Sequence, residues 1–131
     1  MDEFCEFSPQ SDEDAALRFS LSILMLDHRT AELLKLLKGG DKFGGVAGDP
    51  GWVIERREAD DVVGYEAWPM WARFRAYVEP CGYELAHPEF YADTSTFHRY
   101  VEIIVEIYER RHPERSAIVR QSKDAIKVAA V

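Results

Sequence analysis

Residues 52–78 read WVIERREADDVVGYEAWPMWARFRAYV, and the way this stretch folds decides whether the chain is built on a sheet. Trp52, Val53 and Ile54, and then Val62, Val63 and Tyr65, are the β-branched and aromatic types that suit a pleated surface. Asp60 and Asp61 lie between the two runs and favour a turn, so an antiparallel hairpin is predicted over 52–68. Pro69 cannot donate to a strand ladder and marks an edge or a corner. Beyond it, Ala72, Phe74, Ala76 and Val78 alternate with Arg73, Arg75 and Tyr77. A period of two places the first set on one face of a strand. The stretch as a whole predicts a meander of three strands.

Working upstream, residues 39–51 hold six of the eight glycines and predict a loop with wide backbone freedom. Before it, Ala31-Glu32-Leu33-Leu34-Lys35-Leu36-Leu37-Lys38 predicts a short helix. Asp27 or Thr30 is placed to cap it, its acid and lysines complement the helix ends, and Gly39 can stop it. Residues 17–26 alternate Leu17, Phe19, Leu21, Ile23 and Met25 with Arg18, Ser20 and Ser22, which predicts a strand. Leu17, Leu21 and Leu24 also fit helical spacing, the competing pattern. Residues 1–14 are acidic, contain Ser8-Pro9-Gln10-Ser11, and read as a loose arm that Phe4 and Phe7 could tack to the body.

Downstream, Pro80-Cys81-Gly82 and Pro88 predict an irregular segment over 79–93. Asp93, Thr94 or Ser95 then caps a long helix that runs to about Arg111, with Phe97, Val101, Ile104 and Tyr108 on one stripe. His112-Pro113 ends it, and residues 116–121 read as a last strand. No repeat or internal boundary interrupts the chain, so one domain over 1–131 is expected. Its class is α+β: a mostly antiparallel sheet of four to five strands, packed by one long and one short helix.

Charge limits the partners. The formal net charge is −8, with 24 acidic and 16 basic side chains. An acidic surface repels phosphate and anionic lipid, so neither nucleic acid nor membrane is an expected partner, and a basic protein is. Cys5 and Cys81 have no metal-ligand spacing and fit a reduced compartment. The start Met-Asp-Glu-Phe lacks the basic and apolar runs of a signal peptide, and cytoplasmic residence is expected.

A search for chemistry finds little. His98 and Glu102 stand one helical turn apart, but two ligands do not make a zinc site, and an exposed polar pair is the simpler account. Glu102, Glu106 and Glu109 share a face with Arg99 and Arg110 in reach, which suits an ion-paired surface. The glycine-rich loop lacks both the Lys-Ser/Thr of a P-loop and the spacing of a dinucleotide fingerprint. No nucleophile elbow is present. No catalytic residue, metal or cofactor is therefore expected.

The informative cluster is aromatic. Tyr65, Trp68, Trp71, Phe74 and Tyr77 crowd together, and two tryptophans and Met70 surround Pro69. Trp, Tyr and Met are enriched where protein partners dock. Asp60, Asp61, Glu66, Trp68 and Trp71 are accordingly the expected partner-binding residues. The function that follows is an inhibitor of a basic protein, such as the immunity partner of a bacterial toxin, which such chains resemble only in size and charge. Two other outcomes compete. One is a small enzyme or enzyme-associated module with a cleft between the glycine-rich loop and the long helix. The other is a homo-oligomer pairing through the Pro69 edge.

Overall fold

A computed structural model describes residues 8–39, 45–49, 51–58 and 62–129. The sheet has four antiparallel strands in chain order: β1 (Gly45–Gly48), β2 (Trp52–Arg56), β3 (Phe74–Val78) and β4 (Glu89–Ala92). Four helices accompany it: α1 (Ala15–Leu26), α2 (Thr30–Lys38), α3 (Thr94–Arg111) and α4 (Ser116–Ala129), with a single 3-10 turn, Pro113–Arg115, between the last two. The class is α+β, as the alternation in 72–78 implied, but the helical part is twice what was expected.

The register explains the core. Val46, Ile54, Ala76 and Phe90 lie side by side across the four strands, flanked by Trp52 with Val78 and by Phe74 with Ala92. These residues share one face, and all but Phe90, which is half-buried, are sealed from solvent. Helix α1 lies over β2, β3 and β4 on that face; α3 packs against α1, and α4 bridges α2 and α3. The Phe74 ring stacks on Phe97 at 3.8 Å between centroids, joining the sheet to α3.

Helix α1 corrects the strand expected over 17–26. It is buried nearly all round, Ser20 and Ser22 included, because it sits between the sheet and α3. A helix enclosed by neighbours needs no polar stripe, so the helical period is lost and small serines in close-packed positions mimic alternation. Residues 116–121 are also helical rather than a strand. Val119, Ser122 and Ile126 are the buried positions of α4, and their spacing follows a helix, not a pleat. Conversely, 79–93 contributes a strand, β4, and the glycine-rich segment contributes β1. Gly45 can have no side chain there, since a Cβ would collide with the carbonyl oxygen of Ile54 on β2.

Two helix ends follow their sequence signals. Asp93 Oδ1 accepts from Thr96 N at 2.8 Å and caps α3. At α2, Gly39 takes the positive φ of 68° that stops the helix, whereas neither Asp27 nor Thr30 caps its start. Residues 8–14 form hydrogen-bonded turns, and Pro9 O accepts from Ala86 N at 2.9 Å. The rest of the expected arm, 1–7, with Phe4, Phe7 and Cys5, lies outside the described residues. No helix among the described residues is long and apolar enough to cross a membrane.

Candidate functional site

The hairpin expected over 52–68 does not form, and what replaces it builds the site. The partner of β2 is β3, so residues 57–73 become a long connection across the end of the sheet. Successive turns carry it: Tyr65 N donates to Val62 O, Trp68 N to Tyr65 O and Ala72 N to Pro69 O, each at 3.0 Å. Valines 62 and 63, 65% and 91% exposed, lie in this turning segment and not in a strand. Pro69 therefore sits in a turn, and the sheet edge through which two copies would have paired does not exist at that position.

Arg57 holds this connection down. Its guanidinium donates from Nε to Ala72 O at 2.8 Å and from one terminal nitrogen to Pro69 O and Met70 O at 2.9 Å each. The residue is only 8% exposed, and its charge lies 5.6 Å from the Trp68 ring centre. A fork of N–H donors matched to three carbonyls fixes a backbone that has no ladder of its own.

The second face of the sheet carries Val53 and Glu55 from β2, Arg75 and Tyr77 from β3, and Glu89 and Tyr91 from β4. All are half-buried or exposed, and among the described residues no helix packs on this face. Arg75 stands at its centre, bonded to Glu55 and Glu89 and lying 4.8 Å from the Tyr77 ring centre. Burial opposes that charge, but the two carboxylates outweigh it and raise the guanidinium pKa further. Tyr91 is raised too, by burial first and then by the negative Glu89. Trp68 meets Tyr91 edge-on at 5.5 Å, and Tyr65 meets Trp68 at 5.0 Å. The rings of the connection and of the open face are thus one continuous surface.

Of the five residues that the sequence marked for partner binding, Trp71 stands 58% exposed on the connection and Glu66 is exposed, its carboxylate accepting from Gly64 N at 2.6 Å. Trp68 is half-buried between Tyr65 and Tyr91. Asp60 and Asp61 lie outside the described residues. Met70, 90% exposed beside Trp71, extends the patch. Arg75 and Tyr77 were read as the second face of their strand, but Tyr91 and Glu89 were missed as their neighbours because β4 was read as irregular. Alternation within 89–92, with Glu89 and Tyr91 against Phe90 and Ala92, was the available signal.

Charge is unevenly placed. Residues 45–93 hold ten acids, four arginines and no lysine, whereas 94–131 hold five acids and seven basic residues. Arg56 and Arg57 are both turned inward onto backbone carbonyls, so the acids dominate the solvent side of the sheet half.

His98 is 6% exposed rather than solvent-facing, and among the described residues its Nε2 has no hydrogen-bond partner. Burial, and next the charge of Arg56, push its pKa down. Glu109 on α3 pairs with Lys123 on α4 at 3.6 Å, so the acid face is answered by the next helix rather than by its own arginines. A cavity of about 570 Å3 opens between the end of α2, Arg56 and α4, with Leu37, Ala125 and Val128 on its walls. Among the described residues no three His, Cys, Asp or Glu side chains could hold a metal. Comparison with protein families, with curated proteins and with solved structures finds no match for this chain, so its function is argued from its own surface.

Proposed function

We propose that this chain is a protein-binding inhibitor that docks its open sheet face and the 62–72 connection on a basic partner, in the manner of a toxin's immunity protein. The observation that carries the proposal is the exposure of Met70 and Trp71, 90% and 58%, on a backbone held by a buried arginine. Large apolar side chains held in water on an ordered backbone are what a preorganised interface looks like, because little entropy is left to lose on docking. The ring surface beside them supplies the area and Arg75 with its two acids the polar centre. The acid excess of the sheet half supplies steering toward a cationic protein.

The test begins with capture of the partner on the immobilised chain from cells that make it, followed by kinetics with the purified pair. A one-to-one complex with a cationic protein is expected, together with loss of that protein's activity on stoichiometric addition. Trp71→Ala should speed dissociation by about thirtyfold, as a central aromatic anchor does. Asp60→Lys should slow association, more so at low salt. An unchanged dissociation rate for Trp71→Ala combined with Met70→Ser would refute docking through this surface.

A further inference from the structure

The sheet ends at β4 in an edge whose direction can be read from its bonds. Val78 N donates to Pro88 O, and Arg73 N donates to Ala92 O, both at 2.9 Å. With Ala76 opposite Phe90, these bonds turn the backbone of residues 88, 90 and 92 toward β3. Peptide direction alternates along a strand, so the N–H and C=O of Glu89 and Tyr91 point away from the sheet. Among the described residues no hydrogen bond reaches them. The other edge differs. By the same alternation Ala47 of β1 points its carbonyl outward, and the Arg29 guanidinium occupies it at 2.9 Å. An uncovered edge is a template for another strand.

The surroundings of β4 define what strand would fit. On its helical side lies a shallow cavity, wide open to solvent, lined by residues 11–14, Arg18, Phe90 and Tyr100. Arg18 is matched by Asp14 at 3.0 Å, and Asp14 also accepts from the Tyr100 phenol. Asp12, whose carboxylate accepts from Ser8 N at 2.8 Å, and the exposed Glu13 leave the cavity with an excess of negative charge. On the other side of the edge lie Glu89 and Tyr91 of the open face. An added strand sends alternate side chains to the two sides. One set would enter the acidic cavity and the other would lie against the tyrosine and Glu89.

From this geometry we infer that the partner contributes an extended segment with lysine or arginine at alternate positions, which adds to β4 as a fifth strand. The inference rests on the docking reading above and specifies how the partner is held. Backbone bonds to Glu89 and Tyr91 supply the register, and the acids choose the side chains, the division of labour usual in strand addition.

The probe is an acetylated, amidated octapeptide of alternating Thr and Lys, titrated into the full chain and followed by amide NMR. Saturable shifts are expected at Glu89 and Tyr91, with exchange of the Tyr91 amide slowed by about tenfold or more. A Thr-Glu octapeptide should not bind. Methylating alternate backbone nitrogens of the Thr-Lys peptide should weaken it by about fivefold for each bond lost. Tyr91→Pro removes an outward-facing donor without touching the ladder to β3, and should behave likewise while Tyr91→Ala still binds. Absence of saturable shifts at millimolar peptide, or equal binding of the methylated peptide, overturns the inference. A captured partner that survives Tyr91→Pro but not Trp71→Ala would overturn the fifth strand and leave the docking face standing. One indifferent to Trp71→Ala combined with Met70→Ser would remove the docking reading itself.

Discussion

Replacing Arg57 tests whether the connection that carries the proposed docking surface is held by its guanidinium. In Arg57→Ala three carbonyls lose a charged donor at 2.8 to 2.9 Å. Those of Pro69 and Met70 lie in part-buried bonds and regain water, so each loss is worth only about 0.5 kcal/mol. The bond to Ala72 is buried, but that carbonyl keeps the Arg73 guanidinium at 3.0 Å, so this loss costs about 1 kcal/mol. Loss of the stem and of its contact with Trp68 adds roughly another 1 kcal/mol. The expected destabilisation is therefore about 3 kcal/mol, with Arg57→Lys near half of that because an ammonium cannot fork across three acceptors. The connection can also detach without the sheet unfolding, and the global loss is then capped at the stability of that local unit. Urea unfolding followed by tryptophan fluorescence and by far-ultraviolet circular dichroism separates the two cases, since the fluorescence change runs ahead of the dichroism only if the connection leaves first. Exchange of the Ala72 amide, which donates to Pro69 O at 3.0 Å, reports the local unit directly. A midpoint shift below about 0.5 kcal/mol with unaltered Ala72 protection would refute this account of the site.

His98 gives the chain a pH dependence with a definite sign. Burial, and then Arg56, disfavour the imidazolium, so the folded pKa lies below the ordinary 6.5 that the unfolded chain retains. The unfolded state therefore takes up the proton first: stability is full above about pH 6.5 and falls as the pH drops from there through the folded value. The difference in urea midpoint between the wild-type chain and His98→Leu, compared at pH 7.5 and 5.5, should change in that direction; a difference independent of pH would show that His98 is not held neutral. At the start of α3, Asp93→Ala should cost about 1 kcal/mol by removing the cap on Thr96 N. Because that bond pulls the Asp93 pKa below its ordinary 3.8, the contribution should be present above that value and vanish in more acidic solution, which chemical denaturation at pH 7 and pH 2.5 would check.

The sheet and the long helix were legible in the sequence because each has one wet side. Alternation in 72–78 and the stripe through Phe97, Val101, Ile104 and Tyr108 record which side is dry, and Asp93 marks where the helix begins. Helix α1 was not legible because it has no wet side; enclosed between sheet and helices, it keeps no polar period to read. The false strand over 62–68 has a different cause. Val62, Val63 and Tyr65 have strand propensity, but β2 takes β3 as its partner, and Arg57 ties the carbonyls of Pro69, Met70 and Ala72 just downstream into turns. A long-range demand of that kind leaves no periodic trace. The aromatic cluster, Tyr77 included, was visible, and so was its acidity; its joining to Tyr91 needed the strand order.

One consequence of the layering explains why the surface is free at all. Helix α1 covers the inner face of β2, β3 and β4, and the other helices gather around it or at the β1 side, so the helical mass lies on one side of the sheet. Nothing in the described chain is left to cover the other face. A single-sided antiparallel sheet usually answers this by turning polar residues outward. Here the outward positions are instead Val53, Tyr77 and Tyr91 around the Glu55–Arg75–Glu89 triplet, with Trp68 laid over one end. The ion triplet keeps such a face wettable, because its charges remain partly hydrated while the chain is alone. Its dispersal over three strands also leaves Tyr77 and Tyr91 half-buried beside it. A face meant only for solvent would gain nothing from exposing Trp71 and Met70 at its margin. Their position, beyond the rings and on a backbone fixed by Arg57, is the one that the proposed docking on a second protein requires.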